Sequence, residues 1–410
     1  MRNTPFYYGW AVLAASAMSE MLVQGATSYA AGLFVLPLQA EFHISRAVAN
    51  LPVLILFAGA MLIAPLVGRA LDTRPIRLVM PLGAILLGLS FAAIAVIHSL
   101  PLMAIILFLP AAVAFMAAGP LNTSTLASRW FYRRRGLAQG LAAVATSGGG
   151  FTVVPLLSAA IQHHGWRLAL FYEGVIEAII IVVLALLVLR DRPSDMGLQD
   201  HPENQGQLTN IFSRERLGWT DILFSRAFWI PCLTVAAISA TSQAMVITLV
   251  AYGVQLGMTP VAAALPISAF AIVAAITKIV AGLLADRINQ RLLLIVAALA
   301  MTLSWLCLSF FALPAALFAA ACLAGIALGC SLPTTAGLIA ANFGPARFGQ
   351  VMGWGYALTA ALLLSAVIFA GAVFDKTHSY HLPFMVFSVL LAGISVLVMT
   401  VSPNRKTVDP

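Results

Sequence analysis

Twelve apolar stretches, each near the ~20 residues that a helix needs to cross a bilayer, leave this chain almost no freedom in fold class. In order they are Gly9–Leu36, Val48–Val67, Ile76–Ile97, Leu100–Leu121, Leu137–Ile161 and Leu168–Leu189. After a polar break come Phe228–Tyr252, Val261–Leu284, Leu292–Phe311, Leu313–Ala341, Val351–Phe374 and Leu382–Met399. The residues are 61% hydrophobic and 9% charged, whereas a soluble domain carries roughly 25% charged residues. Inside lipid a backbone must satisfy its own polar groups, so each stretch is read as a helix. The fold class is all-α integral membrane, with twelve transmembrane helices. The first stretch is too long for a cleavable signal and lacks a small-residue cleavage site, so we expect it to remain as a helix.

The one long polar stretch, Arg190 to Arg226, is rich in Pro, Asp, Gln and Arg and separates six segments from six. It divides the chain into an N-terminal six-helix bundle (1–190), a cytoplasmic linker (191–225) and a C-terminal six-helix bundle (226–410). The net charge of +8 is a topology signal and implies no nucleic-acid partner. With both termini in the cytoplasm, Arg46, Arg167 and Lys376 fall outside and Lys278 falls within the membrane; every other Lys and Arg lies inside. The expected location is therefore the cytoplasmic (inner) membrane with both ends inside.

All four cysteines (Cys232, Cys307, Cys322, Cys330) fall inside apolar segments with no C-x-x-C spacing, as small hydrophobes do. His43, His98, His163, His164, His378 and His381 fall in external loops and His201 in the linker. There is no H-E-x-x-H and no intramembrane histidine cluster, so neither a metal nor a cofactor is expected, and a membrane-embedded enzyme or sensor is disfavoured.

A short pattern occurs once in each half. The first copy is Gly68-Arg69-Ala70-Leu71-Asp72-Thr73-Arg74, running on to Arg77; the second is Gly282-Leu283-Leu284-Ala285-Asp286-Arg287, running on to Arg291. Each ends one apolar segment and precedes another. The pattern resembles the loop signature of the major facilitator superfamily, G-x-x-x-D-R-x-x-x-R, found between helices 2 and 3 and again between 8 and 9. The resemblance implies a duplicated six-helix unit, hence two pseudo-symmetric bundles working by alternating access. It implies that Gly68, Asp72, Arg77, Gly282, Asp286, Arg287 and Arg291 form a conformational gate of charge clusters.

Several stretches are similar to one branch, the monocarboxylate and oxalate–formate type transporters. They are Tyr7-Tyr8-Gly9-Trp10, the run from Arg129-Trp130-Phe131 through Arg133-Arg134-Arg135-Gly136-Leu137-Ala138, Gly165-Trp166-Arg167, the linker start Arg190-Asp191-Arg192-Pro193, and Phe374-Asp375. Helix 5 carries Ser147-Gly148-Gly149-Gly150-Phe151 and Pro155, not the G-P-x-x-G-G of drug/proton antiporters, and helix 4 is expected to lack the buried arginine of drug exporters.

Lys278 is the sharpest candidate. It lies eight residues before Asp286, about 12 Å along the helix. A lysine at the centre of a membrane helix costs roughly 2.5–3.5 kcal/mol, so something must compensate it. In the resembling branch an arginine four residues before the motif glycine binds the substrate carboxylate, and Lys278 stands at that place relative to Gly282. A structural ion pair or snorkelling to the interface are the competing roles. Glu20, about 16 Å into helix 1, is at comparable depth and could pair with Lys278 and carry a proton. The branch's helix-8 aspartate is absent between Val261 and Leu284. Gln24, Asn122, Gln243, Tyr252 and Tyr356 lie on helices that line the cavity in the resembling fold and complete the substrate-binding candidates. Glu173 and Glu177, at i and i+4 on the peripheral helix 6, are read as packing residues.

The expected function is secondary transport of a small organic anion, a monocarboxylate or 2-oxo acid, with or without a coupled proton. The partners are that anion, protons and the lipid bilayer, with a single chain as the functional unit. The alternative within the fold is an exporter or importer of a larger solute, such as a drug or siderophore.

Overall fold

The computed structural model describes residues 7–49, 51–131, 134–197, 225–344, 347–377 and 379–399. Arg2, Arg133, most of the linker with His201, Arg214 and Arg216, and also His378, Arg405 and Lys406 lie outside the described residues. All regular structure among the described residues is helical. Among the described residues twelve helices are long and apolar enough to cross a membrane: α1 Gly9–Phe42, α2 Leu51–Thr73, α3 Ile76–Val96, α4 Leu100–Trp130, α5 Arg135–His164 and α6 Trp166–Leu187. They continue with α7 Arg226–Leu249, α8 Leu265–Ala285, α9 Gln290–Phe310, α10 Pro314–Phe343, α11 Phe348–Phe374 and α12 His381–Met399. The chain is an integral membrane protein.

The largest departure from the apolar runs is α4, which continues past Leu121 to Trp130. Asn122, Thr123, Ser124, Thr125 and Ser128 end the apolar run, yet all are buried. Thr125 donates to the Leu121 carbonyl (2.7 Å) and Ser128 to the Thr125 carbonyl (2.8 Å), so their hydroxyls cost little to enclose. The longer helix also takes in Arg129, which sits in its last turn with a side chain 7% exposed, while the apolar run Leu100–Leu121 itself holds no arginine.

By internal contact the chain divides into two compact units, Met1–Glu215 with Phe343–Ala357, and Arg216–Asn342 with Leu358–Pro410. The start of α11 thus counts with the first unit. In that unit α1 is irregular, with a π turn over Gly25–Tyr29 and a 3-10 turn over Ala30–Phe34. The Gly148–Gly150 run of α5 lies against it. A Cβ at Gly149 would collide with the Met21 carbonyl and with Gly25, so only glycine permits this approach. α4 has its own π turn over Leu107–Ala111, around Pro110, and breaks at Gly119 before Pro120.

Gly165, at φ +78°, turns the chain between α5 and α6. Arg167 then ties three helices at once. Its guanidinium donates to Glu41 at the end of α1 (2.5 Å) and to the carbonyls of Ile94, Ala95 and Ile97 at the end of α3 (3.1, 2.9 and 2.8 Å). Trp166 donates to the same glutamate (2.9 Å). The Gly165-Trp166-Arg167 motif is therefore a helix-end clamp.

The second unit is cored by Trp305 of α9 between Phe384 and Phe387 of α12, with ring centroids 5.2 and 5.0 Å away. Gly325 and Gly329 of α10 lie against Phe270, Ala274, Thr277 and Lys278 of α8, the close packing that their four-residue spacing predicts.

Arg167→Gln strips three carbonyls of their guanidinium donor and leaves the Glu41 carboxylate with Trp166 alone. Allowing for partial exposure, it should cost about 2 kcal/mol and lower the unfolding temperature by several degrees. Arg167→Lys should recover little, because an ammonium cannot reach both partners. Thermal unfolding in detergent with an unchanged midpoint for either variant would dismiss the clamp.

Candidate functional site

A polar seam runs through the first unit between α1 and the break in α4. Ser19 donates to the Ala118 carbonyl at the break (2.6 Å), and Thr123 donates to the Ser16 carbonyl (3.0 Å). Ser16, Ser19, Glu20 and Val23 share one face of α1, and Glu20 is 2% exposed. The Tyr356 hydroxyl is enclosed beside Ser124, within the field of Glu20, without a well-formed hydrogen bond. Asn122, in the first turn after the break, is 0% exposed with neither amide atom partnered. Gln139 of α5 donates to the Ser124 carbonyl (2.8 Å) and leaves its own oxygen unpartnered. Buried polar atoms without partners are rare and costly. Here Tyr356 stands within the field of Glu20, and Gln139 and Asn122 lie on or against the helix turn that carries Ser124. Gln24 lies one turn beyond Glu20 and accepts from Ser28 (2.8 Å).

In the second unit Lys278 is half-buried inside α8, in contact with other groups of the protein. Gln243 is exposed. The helix of α7 continues to Gln255, and its Tyr252 packs edge-on against Phe384 and Tyr380. Among the described residues no group of three or more His, Cys, Asp or Glu could hold a metal ion. An open, mainly apolar pocket in the first unit is lined by residues such as Thr27, Phe34, Val53, Phe91, Leu107 and Trp166, and none of the candidates line it.

The first motif copy binds a helix end. Asp72, its side chain 6% exposed, accepts from the backbone N–H groups of Gly349 (2.9 Å) and Gln350 (2.7 Å), the unsatisfied donors of α11. A carboxylate at a helix N-terminus also gains from the helix dipole. Arg129 reaches to 4.0 Å from Asp72 and donates to the Leu71 carbonyl (2.6 Å). Gly68 makes room: a Cβ there would strike the Gly349 carbonyl.

Arg77 does not join Asp72. Its guanidinium donates to the Leu186 carbonyl at the end of α6 (2.9 Å), while Asp191 accepts from its backbone N–H (3.0 Å). Arg291 does the same in the second unit, donating to the Met399 carbonyl at the end of α12. The two arginines, each five residues after its motif aspartate, therefore cap equivalent helices. Gly282 is buried, whereas Asp286 and Arg287 are exposed.

Comparison with known proteins places these motifs in one lineage. The profile of the Major Facilitator Superfamily matches residues 16–264 and 232–410. The chain belongs to that superfamily. It is a transporter of this kind and not an enzyme. It is similar to the uncharacterized MFS-type transporter YcxA of Bacillus subtilis (strain 168), at 24% identity over 89% of this chain and 88% of the relative. Human monocarboxylate transporter 14 is 27% identical over 47% of this chain and 38% of its own. The oxalate:formate antiporter of Oxalobacter formigenes is 26% identical over 32% and 29%. The solved structure of the proton:xylose symporter XylE superposes with a TM-score of 0.76 at 14% identity, over 96% of this chain and 95% of that one. At that identity the likeness speaks for the fold alone.

Three of the short motifs similar to one branch of the superfamily meet at the Asp72 end of the first unit, while Gly165-Trp166-Arg167 clamps the opposite helix ends and Phe374-Asp375 belongs to the second unit. Tyr7 donates to the Trp130 carbonyl (2.5 Å), Tyr8 to the Val188 carbonyl (2.7 Å) and the Trp130 indole to the Arg190 carbonyl (2.9 Å). Trp10 packs on Phe131 with centroids 4.5 Å apart. Sequence reasoning missed Gln139, Ser124 and Arg129 as members of these clusters. The available signal was a polar side chain within or next to an apolar run.

Asp72→Ala removes a charged acceptor from two amides. That interaction is worth about 1.5–3 kcal/mol, so amide exchange at Gly349 and Gln350 should speed up roughly tenfold to a hundredfold. Exchange measured by mass spectrometry on the peptide beginning at Phe348 checks this, and an unchanged rate would rule out the cap.

Proposed function

We propose that this superfamily transporter carries a small organic anion, of the monocarboxylate or 2-oxo acid type, by alternating access and with a coupled proton. One observation carries the reading. Lys278 is a half-buried cation inside a membrane span, four residues before Gly282, where the resembling branch keeps its anion-binding arginine. An intramembrane ionisable residue marks a substrate path by default. The names of the two partial relatives, a monocarboxylate transporter and an oxalate:formate antiporter, point to the same substrate class.

On this reading Lys278 neutralises the carboxylate as a point charge, without the two-pronged contact of an arginine. Glu20, Gln24, Asn122, Gln243, Tyr252 and Tyr356 supply further polar contacts to the substrate. Asp72, clamped on the start of α11, holds one conformation and releases it when the units rock, and Asp286 is its counterpart. The location is the cytoplasmic membrane with both termini inside, as the distribution of Arg and Lys implies.

The test is uptake of labelled formate, acetate, lactate, pyruvate and oxalate into proteoliposomes, with and without a pH gradient. Lys278→Ala should abolish uptake of the carried anion while the protein still reaches the membrane, and Lys278→Arg should keep part of it. Normal uptake by the alanine variant would remove Lys278 from the anion site. Uptake of a drug or siderophore and none of the five acids would replace the substrate class. Topology is checked separately, by cysteine accessibility. Residues 133, 203 and 406 should label from the cytoplasm, and 164 and 376 from outside. Two on the wrong side would overturn the orientation.

A further inference from the structure

A second buried carboxyl takes no part in the hydrogen bonds of the seam. Glu177 lies eleven residues into α6, about 16 Å from its start, hence near the membrane midplane. It is 2% exposed, and neither carboxyl oxygen has a hydrogen-bond partner. Glu173, one turn earlier on the same side, is half-buried.

Among the described residues, the helices packed on α6 carry basic groups only near their ends, away from the depth of this pair. α6 packs mainly on α3, where its Gly174 lies against Gly88, and also on α5 and α1. The only titratable group of α3 is Arg77, at its first turn and engaged with Leu186. α5 carries Arg135 at one end and His163 and His164 at the other. α1 carries Glu20, a like charge, and Glu41, held by Arg167 at the far end. An ionised carboxylate so enclosed would be an uncompensated buried charge. A neutral acid needs only to find its O–H one acceptor.

We propose that Glu177 is a proton-binding site of the transport cycle, protonated in the conformation described here and exchanging its proton through Glu173. In the exchange the Glu177 O–H breaks and its proton passes, directly or by one water, to a Glu173 carboxylate oxygen. The pair keeps one negative charge throughout, so the transfer within it separates no new charge. The proposal rests on the proton coupling put forward above and places the proton on α6 in addition to, or instead of, Glu20.

Two measurements test it. Infrared spectra of the protein in lipid should contain a protonated-carboxyl band at neutral pH, part of which disappears in Glu177→Gln and persists in Glu20→Gln. This readout needs no substrate, so it stands even if none of the five acids is carried. An unchanged band in Glu177→Gln would overturn the assignment. In proteoliposomes loaded with whichever of those acids is carried, Glu177→Gln should lose accumulation driven by a pH gradient and keep exchange of labelled for unlabelled acid. Glu173→Gln should keep the infrared band and slow pH-driven uptake. Full pH-driven uptake in Glu177→Gln, or loss of exchange along with it, would reduce the proton to a structural one and defeat the proposal.

Discussion

The structure depends on one constraint: a helix that ends at the edge of an apolar slab must still satisfy its last carbonyls and first amides. Side chains do it at several ends of this chain. Arg77 serves the end of α6, Arg291 the end of α12 and Arg167 the end of α3, while Asp72 serves the start of α11. Each of these residues belongs to a motif that stands out in the sequence. The motifs are conspicuous because polar residues in this chain are few, and those at helix ends have fixed tasks.

The same constraint explains why polar chemistry gathers where helices are irregular. The break at Gly119 interrupts α4 mid-membrane, and the hydroxyl of Ser19 takes up the Ala118 carbonyl beside it. Breaks of this kind are tolerated where other protein groups surround them. Once a polar seam exists, further polar side chains can be enclosed at lower cost, and Glu20, Asn122, Ser124, Gln139 and Tyr356 collect along it. Glu177 takes no part in the hydrogen bonds of this seam, and the described basic groups on the helices packed against it lie near their ends.

Pseudo-symmetry is visible in chemistry as well as in helix count. Arg77 and Arg291 hold equivalent positions in the two copies and cap equivalent helices. The two halves nonetheless carry different intramembrane ionisable groups, Glu20, Glu173 and Glu177 in one and Lys278 in the other. The two halves are alike in what they need at their helix ends and differ in their interiors.

The sequence by itself determined the class and the span count, because hydrocarbon excludes everything but long apolar helices and such runs are legible residue by residue. It also determined the superfamily, through a motif whose residues act locally at helix ends. Spacing located Glu20, Lys278 and Asp72 but could not say what each would meet. The extension of α4 through Asn122-Thr123-Ser124-Thr125 was illegible, since hydropathy counts a hydroxyl as polar whether or not a carbonyl of its own helix receives it. Only the tertiary structure decided that Asp72 would seat two amides some 277 residues away, that Arg77 would turn to α6 instead, and that Glu177 would be sealed without a partner. Those outcomes depend on which helix faces lie side by side, and that is set by packing between segments far apart in the chain.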